Sequence, residues 1–526
     1  MREIITLQLG QQSNYLDTQE SYFTYGQEEE SPVDHDVHFR PGLGADGTET
    51  YMPRTVIYDL KGGFGSMRKI NALYEAEDGE PTALWNGQTV VQRQQPIGQS
   101  AYQESLDAGT AAPELTSSSV RYWSDFSRVY YHPRSIVQLN EYELNSSLMP
   151  FEKWAMGEEL FSSLDKDHDI VDRDLRPFAE EADHMQGLQI MTGIDDAWGG
   201  FAAKYLERLR DEYGKIPIWV WGLQEPVMNL PREKRLLRLV NKARALADMY
   251  SQASLIIPLS IPQRLPSKIS LDRSSLWQVS ALFNAAIEST SLYTRIRTSD
   301  QVNSTSFGTA TDLLNVFGKQ TIANLQFSSV EPPKPAHNGT NGGMEFPTGR
   351  GELYDSLNAM EYEDQSDEGP QSGVASLDVN LSSLDGGMPP PVGFRPRRKP
   401  YLFSQLTTVR GDEASKANDL DEVDDEDRGR ERPKTHRFKS NLSFPMLDSY
   451  PRIFRDSDEN RLTEPLSIRT VLSADSSVTD NMKGLRATVV RSIGLEDRED
   501  IGNELAEIAE GYKEGWSSGS DDDEDD

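Results

Sequence analysis

The chain contains no cysteine in 526 residues. That excludes disulfides, thiolate zinc sites and cysteine nucleophiles together, and it gives no support to a disulfide-stapled secreted fold. No stretch approaches about 18 consecutive apolar residues, so no membrane-spanning helix is expected. Basic residues are short: 53 Lys+Arg stand against 86 Asp+Glu, a formal net charge of −33. Such a chain is a poor coat for DNA, because affinity for phosphate comes from Lys and Arg that neutralise it. Hydrophobic residues reach only 36%, below the roughly 45–50% of ordinary globular composition. The start, Met1-Arg2-Glu3-Ile4-Ile5, has neither the pattern of a secretory signal nor that of a transit peptide. Association with an organelle is therefore expected to be peripheral, or through a partner.

What is present is unevenly distributed. More than half of the acid excess lies after residue 330. Residues 331–400 are rich in Gly, Pro, Ser, Asn and acids (Pro332-Pro333-Lys334-Pro335, Pro389-Pro390-Pro391). Such composition buries too little apolar area to offset its ordering entropy. An acidic block from Asp419 to Asp427 precedes a basic one (Arg428, Arg430, Arg432, Lys434, Arg437, Lys439), and Asp521–Asp526 is purely acidic. Blocks of like charge stay solvated, so 331–440 is expected to be a disordered insertion and 516–526 an acidic tail.

Short apolar runs at Glu3–Leu9, Thr55–Tyr58, Ser135–Leu139, Leu188–Met191, Ile216–Trp221 and Leu255–Leu259 have the length of interior strands. Ala202–Tyr213 and Arg232–Tyr250 carry helical apolar faces, the second with Asn229 and Pro231 as start signals. Alternating strands and helices predict an α/β domain with a mainly parallel sheet over 1–260. Connecting helices are expected over 261–330. A smaller α+β part is expected over 441–515, with a strand at Leu466–Leu472, a helical face through Met482, Leu485, Val489 and Ile493, and a last helix near Ile501–Tyr512.

In open α/β sheets ligands sit at the carboxyl ends of the strands. After the first strand come Gly10-Gln11-Gln12-Ser13-Asn14, which serve either as a polar turn or as backbone and amide contacts to a phosphate. After the second come Asp59-Leu60-Lys61-Gly62-Gly63, an acid suited to a metal with glycines that permit close approach. Neither is a Walker loop or a dinucleotide fingerprint. The acids Asp165, Asp167, Asp169, Asp172 and Asp174 lack the Gly and the terminal Glu of a calcium loop and read as a solvated helix approach. The basic block lacks interleaved aromatics, so neutralisation by its acidic neighbour is expected rather than nucleic-acid binding.

Met1–Gln11 with Asn14, Tyr51–Leu60, Gly157–Leu160 through Met185–Gln189, and Lys204–Tyr213 together resemble tubulins. Tyr15–Phe23, Tyr122–Phe126 and His132–Ser135 are similar to the Misato/Dml branch of the tubulin–FtsZ superfamily, departing from it where Asp17-Thr18-Gln19 replaces an aromatic pair. The resemblance implies a tubulin/FtsZ-like Rossmann-type domain. It also implies a GTP site using Gly10, Gln11, Asn14, Asp59, Gly62 and Gly199, and a role in mitochondrial partitioning and mitochondrial DNA inheritance.

Where tubulins have a glycine run, however, this chain has Gly193-Ile194-Asp195-Asp196-Ala197-Trp198-Gly199-Gly200. Two unit charges about 4 Å apart at an effective dielectric near 20 interact by roughly 4 kcal/mol. Asp195 or Asp196 facing a triphosphate would repel it unless a Mg²⁺ ion bridged them. The catalytic loop that tubulins insert into a neighbour is reduced to Gly308-Thr309-Ala310-Thr311-Asp312, read as a helix start capped by Thr311 or Asp312. A non-enzymatic tubulin-like protein is expected, with tubulin-like or mitochondrial surface proteins as partners, no direct nucleic acid, and residence at mitochondria and in cytoplasm. The rivals are a Mg²⁺-dependent GTP-binding switch and a cytosolic assembly or chaperone adaptor.

Overall fold

A computed structural model describes residues 3–17, 31–43, 49–67, 97–227, 230–297, 306–330, 379–384, 400–411, 433–456, 460–490 and 495–513. In chain order its strands are β1 (Ile4–Leu9), β2 (Phe39–Leu43), β3 (Glu49–Pro53), β4 (Thr55–Lys61), β5 (Ile136–Glu143), β6 (Gly187–Gly193), β7 (Ile218–Leu223), β8 (Leu255–Leu259), β9 (Asn324–Val330), β10 (Val379–Asn380), β11 (Leu402–Arg410), β12 (Lys434–Ser440) and β13 (Ser467–Asp475). The helices are α1 (Gln11–Asp17), α2 (Ala101–Asp107), α3 (Trp154–His168), α4 (Arg176–Glu181), α5 (Ala197–Glu212), α6 (Arg232–Tyr250), α7 (Leu276–Ser291), α8 (Phe307–Leu314), α9 (Ser477–Val489) and α10 (Leu495–Gly511).

Six strands form one parallel sheet in the order β5-β4-β1-β6-β7-β8. Side chains alternate across a strand, so Ile5, Leu7 and Leu9 enter one core while Ile4 enters the other. Parallel sheets need both faces covered. One face carries α3, α5 and α6, joined by Met482 and Leu485 of α9, Leu505 of α10 and Tyr512 just beyond it. The other carries α7, whose residues from Val279 to Ser291 are buried. A helix buried on all sides lies between layers, and α7 packs against α1, β11 and β13.

The second sheet runs β10-β9-β13-β11-β12. It corrects the domain expectation at three points, the first being that 261–330, expected to hold connecting helices, also supplies β9. The span 331–440, expected to be disordered, supplies β10, β11 and β12. Averaging over a polar stretch hid Leu402–Arg410, whose Phe403, Leu406 and Val409 are buried. The span 441–515 is not a separate part either: β13 pairs with β9 on one side and β11 on the other. The expectations for Asn229, Ile493, Arg428, Arg430, Arg432, Asp419–Asp427 and the tail fall outside the described residues. Lys434, Arg437 and Lys439 lie on β12.

Two close backbone approaches set the helix layer. A Cβ on Gly157 would lie 1.7 Å from the Ala197 carbonyl oxygen, and one on Gly200 would lie 2.1 Å from that of Trp154. Only glycine lets α3 and α5 cross this tightly. The acids 165–174 are largely engaged rather than solvated. Asp165 accepts from Arg208 at 3.0 Å, Asp172 pairs with Arg176 at 2.6 Å, and buried Asp174 accepts from the Tyr58 hydroxyl at 2.7 Å. No helix among the described residues is long and apolar enough to cross a membrane.

Candidate nucleotide site

The site is built where β1, β4 and β6 end. Glycine at 10 turns the chain directly from β1 into α1, at φ +89°, with the Gly10 carbonyl accepting from the Asn14 N–H at 3.1 Å. Asn14 then reaches across the sheet and donates its amide to Asp59 at 2.8 Å. Asp59 is fully buried at the end of β4 and also accepts the Leu60 N–H at 2.8 Å. Burial pushes its carboxyl up to about 7, against the pull of those two donors. A Cβ on Gly63 would lie 2.3 Å from the Asp59 carboxyl carbon, so the glycine is needed to seat the loop over the acid. Gly62 is left-handed at φ +90° with open space around it, and Gln11 is half-buried on the first turn of α1.

Across from Gly10, Trp198 projects from the first turn of α5. A Cβ on Gly10 would lie 2.5 Å from the Trp198 indole nitrogen, so the ring rests on the turn itself. It is held there by Phe151 and Phe201, at centroid distances of 5.3 and 5.7 Å, and Tyr142 backs Phe151 at 4.8 Å. Phe151 lies on the connection between β5 and α3; nothing in its spacing marks it as part of a site.

The two acids behave differently. Asp196 caps α5: its carboxylate accepts the Trp198 N–H at 2.9 Å. Helix N-termini attract anions, and here the anion is the chain's own side chain. Burial raises the Asp196 carboxyl to about 7, with Asp195 and Glu225 adding to the effect. Asp195 turns away toward α6, where it pairs with Arg238 at 3.2 Å and accepts the Glu225 N–H at 3.1 Å. Burial raises its carboxyl too, offset by Arg238 and Lys242. Asn241 donates to the Asp195 and Glu152 carbonyls and accepts the Trp154 N–H, tying α6 to both loops. Lys242, also buried, donates to the Leu384 carbonyl at 2.8 Å.

The expected set is therefore only partly gathered. Gly10, Asn14 and Asp59 share one wall, while Gly199 faces Ala245 and the Ile194 backbone inside the helix packing. The nucleotide implied by a tubulin-like fold does not fit these residues. An indole covers the phosphate turn, a carboxylate occupies the helix terminus, and the nearby cations are engaged. No group of three or more metal-ligating side chains occurs among the described residues. The segment read as a degenerate catalytic loop is helix α8, capped by Ser306 rather than Thr311 or Asp312. Thr311 sits inside it, donating to the Phe307 carbonyl and accepting from the Trp219 indole, both at 2.8 Å.

The family comparisons identify this sheet, with its loops converging on the strand ends, as that of a tubulin-like protein. Residues 112–296 match the profile of a tubulin domain and residues 2–108 that of the Misato segment II tubulin-like domain. Protein dml-1 of Neurospora crassa is 53% identical over 551 residues, and Protein DML1 of Gibberella zeae 45% over 543; in both comparisons 100% of each chain is covered. Protein DML1 of Yarrowia lipolytica is 26% identical over 550 residues, again with 100% of each chain covered. The chain belongs to the Misato/Dml1 family.

Proposed function

We propose that the chain is a tubulin-like scaffold that works without bound nucleotide and takes part in partitioning mitochondria and in inheritance of mitochondrial DNA. The first half is carried by one observation: Trp198 lies on Gly10 while Asp196 caps α5. Against a catalytic role, the segment 308–312, where tubulins carry their catalytic loop, is part of helix α8. The relatives' names state no activity. A Mg²⁺-dependent GTP switch would need Asp59, Asp195 and Asp196 turned to a common ion. Instead Asp59 is held by Asn14, Asp195 by Arg238 and Asp196 by the helix.

The second half rests on the family, whose Misato/Dml branch is associated with mitochondrial partitioning. Its partners are then proteins of the mitochondrial surface or tubulin-like proteins, met from the cytoplasm. Depletion, followed by counting mitochondrial DNA copies and scoring organelle distribution, tests this half. Loss of copies and uneven distribution, restored by an Asp196→Ala copy as well as by the native chain, is expected. Unchanged copy number and distribution would overturn it.

A further inference from the structure

Away from the strand ends, an open groove of about 810 Å³ lies between the 112–117 loop, the start of α7, residues 448–455 and Arg461. Its size falls within the roughly 300–1,000 Å³ of ligand sites. Hydrogen bonds fix its walls. Gln278 of α7 donates to Ser117 at 2.7 Å, Trp277 to the Ser449 carbonyl at 3.1 Å, and Tyr450 to the Ala281 carbonyl at 2.6 Å. Leu115, Leu271 and Pro451 contribute apolar lining, and Arg452, Arg455 and Arg461 contribute guanidinium groups.

Three acids also line the groove: Asp448 is offset by an arginine outside it, Asp272 is hydrogen-bonded but keeps its charge, and Glu114 is loosely paired. Asp448 accepts from Tyr102 at 3.0 Å and from Arg128 at 2.6 Å. Asp272 accepts the N–H and hydroxyl of Ser274, which hold its carboxyl below the usual range. Glu114 meets Arg461 only at 3.8 Å, with both side chains largely exposed, an arrangement that binds weakly. Arg455 is positioned by Ser270 at 3.0 Å. Arg452 is exposed and makes no ion pair among the described residues. The groove thus presents three guanidinium forks on a mostly polar wall with a few apolar side chains, and the one lining acid whose charge a cation outside the groove offsets is Asp448, in a chain whose net charge is −33. Arginine forks recognise carboxylates bidentately.

We propose that this groove binds an acidic peptide segment of a partner protein, carboxylates on Arg452 and Arg461 and an apolar residue against Leu115 and Leu271. Its open form suits an extended chain. Among the described residues its two aromatic side chains, Trp277 and Tyr450, are both buried, so neither turns an open ring face to a nucleobase.

The test is fluorescence anisotropy of the full chain with a fluorescein-labelled Glu-Leu-Glu-Glu-Leu-Asp-Glu peptide. The same peptide with every acid replaced by its amide serves as control. Saturable binding is expected that weakens as salt rises from 50 to 300 mM and falls at least tenfold in Arg452→Glu/Arg461→Glu, with the thermal midpoint unchanged. Arg232→Glu, an exposed arginine on α6, should leave it within twofold. No saturable binding, equal binding of the amide peptide, or an equal loss with Arg232→Glu would each overturn the proposal.

Discussion

The closed site we propose rests on single residues. Asp195 and Asp196 were legible in sequence as repulsive to a phosphate. What sequence did not disclose is where the acids go, because Arg238 lies 43 residues from Asp195 and their meeting depends on α6 docking. The acids also leave a titration signature. Asp59 sits near 7 in the fold, against about 3.9 in an unfolded chain. Between those values the folded chain holds the extra proton, so this contribution is fully present below about pH 4 and is lost as pH rises through 7. Asp196 acts in the same direction. Buried His38, lowered to about 3 by burial, acts in the opposite one. The difference between the native chain and Asp59→Asn therefore isolates the effect. In thermal melts from pH 5 to pH 8 the variant should gain stability relative to the native chain; a gap that stays constant with pH would contradict the assignment.

At the scale of elements, the strands of the parallel sheet were legible because each is a short apolar run bounded by turns. The start of α5 was read too late, at Ala202 rather than Ala197, because glycines and aspartates disguise a capped helix as a loop. β11 and β12 were missed because their apolar pattern is short and set within charged sequence. The crossing of α3 and α5 gives the clearest prediction. In Gly157→Ala the new methyl would meet backbone at 1.7 Å, with no flexible side chain to yield. A cost of roughly 2–3 kcal/mol is expected, read as a lower unfolding midpoint. Gly484→Ala, on α9 with open space around it, is the matched control and should be neutral or slightly stabilising.

On the scale of the whole molecule, α7 joins the two sheets through a buried charge cluster. Glu288 pairs with Arg410 of β11 and with Arg295 at 2.8 Å, and Arg410 also donates to the Leu442 and Ser443 carbonyls at 3.0 Å. Glu288→Gln would leave two buried guanidinium groups without their counter-charge, at a cost of about 3–5 kcal/mol, read from urea unfolding. No periodicity revealed this joint, since Arg410 lies 122 residues from Glu288 and meets it only when β11 packs on α7. On the proposed reading, the same long-range packing fills the nucleotide position from within, by Trp198 and Asp196. The most direct measurement of that claim is equilibrium binding of labelled GTP, with and without Mg²⁺, to the native chain and to Trp198→Gly/Asp196→Ser. The native chain should show no saturable binding in either condition. Tight, saturable binding to the native chain that Asp59→Ala abolishes would contradict the account.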